Sequence, residues 1–174
     1  MAETALLIET PEAEAAIGSW RSRLDPVADR GVPAHVTALF PFVPAEAFDD
    51  STLQALGSVL SGVAPFDYTL ARIDEFPGVV YLRPEPDEPF RRLTASLWAA
   101  FPDHPPYEGR YPDSQPHVTI AHVESGAPQD RLSLELAASI GDQLPLRGRA
   151  THLSVFMSDA AGDWRCHHRL AFTG

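Results

Sequence analysis

One tripeptide occurs twice in this chain. His35-Val36-Thr37 returns 82 residues later as His117-Val118-Thr119. Each copy lies in an apolar stretch that reads as a β-strand. Residues two apart on a strand share a face, so each copy presents an imidazole beside a hydroxyl. Val36 and Val118 then turn the other way, into a core. The spacing is close to half the chain, although little else is visibly repeated. It predicts a duplicated unit with pseudo-twofold symmetry.

The elements around the motifs follow from spacing and punctuation. Thr4 to Glu9 reads as a strand. Thr10 offers an N-cap and Pro11 suits the first helical position. Ala13, Ile17, Trp20 and Leu24 then recur at helical spacing. Val36 to Phe42 is the first motif strand. Ser51 is a candidate cap for a second helix carrying Leu53, Leu56, Leu60 and Val63 on one face. Phe66, Tyr68 and Leu70 alternate, Pro77-Gly78 turns, and Val79 to Arg83 returns as the second arm of a hairpin. Asp87 caps a third helix with Phe90, Leu93, Leu97 and Phe101 inward. A loop from Pro102 to Pro116 leads into the second motif strand, Val118 to Val123. Pro128 opens a fourth helix. Leu146 to Met157 and Arg165 to Phe172 read as a last hairpin. Hairpins imply antiparallel sheet, hence an α+β class. No linker or low-complexity stretch divides the chain, so residues 1–174 read as one domain of two lobes.

Composition narrows the function. With 174 residues and 44% hydrophobic content the chain can bury a proper core. No apolar run approaches the ~18 residues of a membrane span, and the N-terminus lacks the basic region of a secretory signal. Cys166 is the single cysteine, which excludes an internal disulfide. A cytoplasmic monomer is the expectation. The net charge of −11 opposes long nucleic acids, whose binding needs many cation–phosphate contacts. Every basic residue is arginine, the better residue for gripping a phosphate bidentately.

The repeated motif has a chemistry of its own. An imidazole titrates near ~6.5 and serves as acid or base. Two of them flanking a phosphate can activate a nucleophile and protonate a leaving oxygen, with no metal. Thr37 and Thr119 would donate to the equatorial oxygens as charge develops there. Tyr107, Arg110 and Tyr111, in the loop before the second motif, are candidate substrate contacts by stacking and phosphate clamping. Arg72 and Arg83 are further candidates to face the cleft. His122 falls five residues after His117, on the opposite face. A zinc hydrolase using His35, His117 and either Asp113 or His122 is an alternative without supporting ligand spacing. A non-catalytic nucleotide-binding module is another.

With those residues in view, the chain resembles the two-histidine (2H) phosphoesterase superfamily, which includes RNA 2′,3′-cyclic phosphodiesterases often called 2′-5′ RNA ligases. The resemblance rests on the two His-Val-Thr motifs. It extends to Gly78-Val79-Val80-Tyr81-Leu82 before a helix, and to Pro105-Pro106-Tyr107 ahead of Pro116-His117. It implies a bilobal fold in which two antiparallel sheets line a central cleft, with helices packed outside. It implies that His35 and His117 are the acid–base pair and that Thr37 and Thr119 bind phosphate, without cofactor. His117 would activate water and His35 would protonate the leaving ribose oxygen, the roles exchanging for ligation. The implied partner is a nucleotide or short RNA with a cyclic phosphate end. The acidic composition departs from relatives expected to carry a basic surround, and favours a small substrate.

Overall fold

The computed structural model describes residues 2–111 and 113–174. In chain order the elements are β1 (Thr4–Glu9), α1 (Pro11–Leu24), β2 (His35–Leu39), α2 (Asp50–Leu60), β3 (Phe66–Phe76), β4 (Val79–Glu85), α3 (Glu88–Ala100), β5 (Val118–His122), α4 (Ala127–Ile140), β6 (Leu146–Ala150), β7 (His152–Ser158) and β8 (Trp164–Ala171). The strands form two antiparallel sheets, ordered β2-β1-β7-β8 and β5-β4-β3-β6. This is the expected bilobal α+β architecture.

The pseudo-twofold is visible in the pairing. β1-α1-β2 and β4-α3-β5 occupy matching places in the two lobes. Each motif strand is the outer strand of its sheet and pairs with the strand before its helix. Leu7 lies opposite Thr37 and Glu9 opposite His35; Tyr81 lies opposite Thr119 and Leu82 opposite Val118. The helices cross over between the halves. α1 packs on β5, α3 packs on β2, and β2 and β5 lie against one another. The Thr94 hydroxyl of α3 donates to the Ala38 carbonyl of β2 at 2.8 Å. Val36, Leu82, Leu97, Val118 and Ile120 belong to one buried cluster that runs under both motif strands.

Local chemistry moves some boundaries. The first motif strand stops at Leu39, short of Phe42. Pro41 has no N–H with which to continue a ladder, and Phe42 turns into the core. Asp49, not Ser51, caps α2: its carboxylate accepts from the Thr52 N–H at 2.8 Å and from the Ser51 hydroxyl at 2.7 Å. Thr10 holds the N-cap position of α1 but makes no side-chain cap bond. The stretch read as one strand from Leu146 to Met157 is two strands in different sheets. β6 pairs with β3 and β7 with β1. The chain carries on past Thr151 with no turn residue to announce the change. The burial patterns do differ: β6 alternates like an outer strand, while β7 is buried on both faces.

Leu82 is fully buried on β4, beside the second motif strand. Leu82→Ala should lower unfolding stability by about 2–5 kcal/mol in urea titration. A loss well below about 1 kcal/mol would show that the two lobes do not share the core described.

Candidate active site

β2 and β5 place His35, Thr37, His117 and Thr119 half-buried on the face away from the core, while Val36 and Val118 are buried beneath them. The two imidazoles are held in the same way. His35 Nδ1 lies 2.7 Å from the Pro33 carbonyl, and His117 Nδ1 lies 2.7 Å from the Gln115 carbonyl. A carbonyl can only accept, so each Nδ1 carries the proton and each Nε2 is left for other partners.

Behind each histidine stands an arginine–carboxylate clamp on a helix. On the first side Glu14 of α1 accepts from the Ala34 N–H at 2.6 Å and pairs with Arg21 at 3.1 Å. Arg21, only 1% exposed, also binds Asp25 at 2.8 Å and the Val32 carbonyl at 3.2 Å. On the second side Arg91 of α3 binds Asp87 at 3.0 Å, the Ser114 carbonyl at 3.3 Å and the Gln115 side chain at 3.0 Å. The Gln115 amide donates back to Asp87 at 2.8 Å. Asp87 occupies the N-cap position read from the sequence, but its carboxylate serves this clamp and makes no cap bond. Both clamps hold the segment whose carbonyl orients a histidine.

The surroundings of the two rings differ. Burial pushes the His35 pKa down to about 4; the Pro33 bond works against this, and the charges of Arg21 and His117 add to it. Burial also lowers His117, against its bond to Gln115. The edges and faces of Phe76 and Tyr81 wall the His117 ring, with centroids 5.2 and 5.5 Å away. Both imidazoles therefore sit in surroundings that disfavour their charged forms.

A cavity of about 310 Å³ opens beside β2. Thr37 and His117 form its chemical end, whereas His35 and Thr119 are outside its lining. Tyr107 reaches the cavity through a left-handed backbone (φ 51°), a conformation disfavoured for an aromatic residue. Its N–H donates to the Phe40 carbonyl at 2.7 Å, and it lines the cavity together with Thr37 and Ser114. Tyr111 is on the rim, 63% exposed, its ring 5.9 Å from that of Tyr107. Arg110 is not in the lining and pairs with Glu108 at 2.5 Å. Arg72 and Arg83 pair with Glu85 and Asp74 at 3.3 and 3.6 Å. His122 is exposed and lies 3.8 Å from Asp25, off the motif face. Among the described residues, no three His, Cys, Asp or Glu side chains converge as a metal-ligand set.

Sequence reasoning misses Arg91, Gln115 and Trp98. All three line the cavity. Arg91, Thr94, Ala95 and Trp98 follow one another at helical spacing on α3, beside the buried stripe of Phe90, Leu93 and Leu97. A large aromatic residue off the inward stripe is the available signal.

The family model of the 2′-5′ RNA ligase superfamily matches residues 9–162. No curated protein matches the chain in sequence. Solved structures share the fold at low identity. Escherichia coli LigT complexed with 3′-AMP is 18% identical, with 99% of each chain covered and a TM-score of 0.60. The same protein complexed with ATP is 20% identical, with 100% of each chain covered and a TM-score of 0.58. TT0787 of Thermus thermophilus is 20% identical over 99% of this chain and 98% of its own, with a TM-score of 0.61.

The depressed pKa of His35 sets a direction for stability. Its ring binds a proton near pH 6.5 in the unfolded chain and only near about 4 in the folded one. The unfolded state therefore takes up the proton first as pH falls, and stability drops between pH 6.5 and about 4. The loss is on the order of 1–3 kcal/mol, measurable by urea unfolding across that window. His35→Gln should flatten the slope; an unchanged slope would contradict the burial of this ring.

Proposed function

The chain belongs to the 2′-5′ RNA ligase superfamily, and from that membership we propose that it is a phosphoesterase opening a 2′,3′-cyclic phosphate, or cleaving a 2′-5′ phosphodiester, on a nucleotide or short RNA end. One observation carries this reading: two imidazoles from matching strands, each with Nδ1 pinned to a backbone carbonyl at 2.7 Å and Nε2 left for chemistry.

The step needs no group beyond the chain and a water. One neutral imidazole takes a proton from water as the water oxygen attacks phosphorus. The bond from phosphorus to one ribose oxygen breaks, and the second imidazole, protonated, gives its proton to that oxygen. Thr37 and Thr119 donate to the remaining phosphate oxygens as their charge grows. The family resemblance assigns His117 as base and His35 as acid, with the reverse in the ligation direction. Burial makes His35 hold a proton poorly. An anionic phosphate beside it offsets its desolvation, so the site takes up its catalytic proton together with the substrate. The nucleotides bound by E. coli LigT support a nucleotide ligand, and the net charge of −11 supports a small one over a long RNA.

The test is turnover of the four nucleoside 2′,3′-cyclic monophosphates and of an RNA with a cyclic phosphate end, with phosphorus NMR of the product. His35→Ala and His117→Ala should each lower kcat by at least about 10²-fold, with a smaller effect on KM. Chelators should leave the rate unchanged. Full activity of either variant would overturn the assignment. Tight binding without turnover across the panel would make the chain a binding module.

A further inference from the structure

The cavity beside His117 is more specialised than a phosphate site requires. We propose that it is a subsite for a single uncharged planar ring of the substrate, a nucleobase, and that Trp98 is the residue that selects it. This deepens the phosphoesterase reading and rests on it.

Four observations converge. The connection leading to β5 (101–117) is longer than the one leading to β2 (25–34). Its added residues Pro105, Pro106, Tyr107 and Tyr111 form the outer wall of the cavity. So the pseudo-twofold is broken on the side where Thr37 and His117 meet the hollow. Second, Trp98 is 47% exposed although α3 has a buried stripe available to large apolar residues. Its ring stands over the cavity with Leu39 and Ala95 beside it, a surface suited to the face of a flat ring. Third, charge is absent where a polyanion would need it. Among the described residues of the lining the cation is Arg91, and it is engaged by Asp87, Gln115 and the Ser114 carbonyl. No guanidinium among them is free for a second phosphate. Fourth, a volume of about 310 Å³ is at the small end of ligand pockets and fits one base.

A cyclic phosphate held between the motif threonines would thus have its base in the cavity, against Trp98. Tyr107 and Ser114 are in the same lining, and their hydroxyls are of the type that the ring's edge would need as hydrogen-bonding partners. A following nucleotide would gain nothing from this wall.

The experiment compares two cyclic phosphates, adenosine 2′,3′-cyclic monophosphate and the base-free glycerol 1,2-cyclic phosphate, on the full chain and on Trp98→Ala and Trp98→Phe. Trp98→Ala should raise KM for the nucleotide roughly tenfold or more. Trp98→Phe should recover most of that. Neither should change kcat/KM for the base-free substrate. Equal effects on both substrates, or none on either, would overturn the subsite. Should the unaltered chain turn over neither substrate, the phosphoesterase reading fails by itself. The subsite is then judged by calorimetry with 3′-AMP, where Trp98→Ala must weaken binding by a similar factor; unchanged binding overturns it.

Discussion

Two sheet edges meet in this protein, and the position of every functional group follows from how they are held. An outer strand leaves a row of backbone groups unpaired, which exposes it to wrong partners. Here the open edges of β2 and β5 are set against each other and covered from below by helices that cross between the halves, α1 on β5 and α3 on β2. Val36 and Val118 are the anchors of that arrangement. Both point into the same core, so strand parity sends His35, Thr37, His117 and Thr119 to the cleft side. Neither lobe can shift its motif without disturbing the helix of the other.

The symmetry of the backbone does not extend to the environment. Each histidine leans on a carbonyl steadied by an arginine–carboxylate clamp, yet the clamps differ. Arg21 is buried with Asp25, while Arg91 is open to the cavity and is 40% exposed. Isolated buried charge is costly, and Arg21 persists because two carboxylates and a carbonyl satisfy it. Its positive charge then bears on His35. The result is a pair of rings with matched geometry, both held below the usual imidazole range by burial.

Much of this is legible in the sequence because it is local. The tripeptide repeat carries strand parity in its spacing, and the helices carry their apolar stripes, so the architecture and the four motif residues can be read directly. Tertiary choices leave no such mark. No glycine or proline marks the break at Ala150-Thr151-His152, and the passage from one sheet to the other at Thr151 is decided by which edge is free to receive each half. Asp87 looks like a helix cap, but Gln115 arrives from 28 residues away and, with Arg91, redirects its carboxylate. Residue type and loop position alone name Tyr107 as a contact; its left-handed backbone and its place in the cavity lining beside Thr37 depend on the fold of the loop. Trp98 is readable as an aromatic residue off the inward stripe, though not as a wall, since the strand and loop that complete the cavity come from other parts of the chain.

The claim beneath all of this is that two imidazoles serve one phosphate. Long-range ¹H–¹⁵N spectra of His35 and His117, recorded across pH with and without 3′-AMP, test it most directly. The expected result is that both Nε2 resonances move on binding, both rings gain proton affinity, and both Nδ1 atoms stay protonated throughout. A response confined to one ring, or loss of the Nδ1 proton from either, would contradict it.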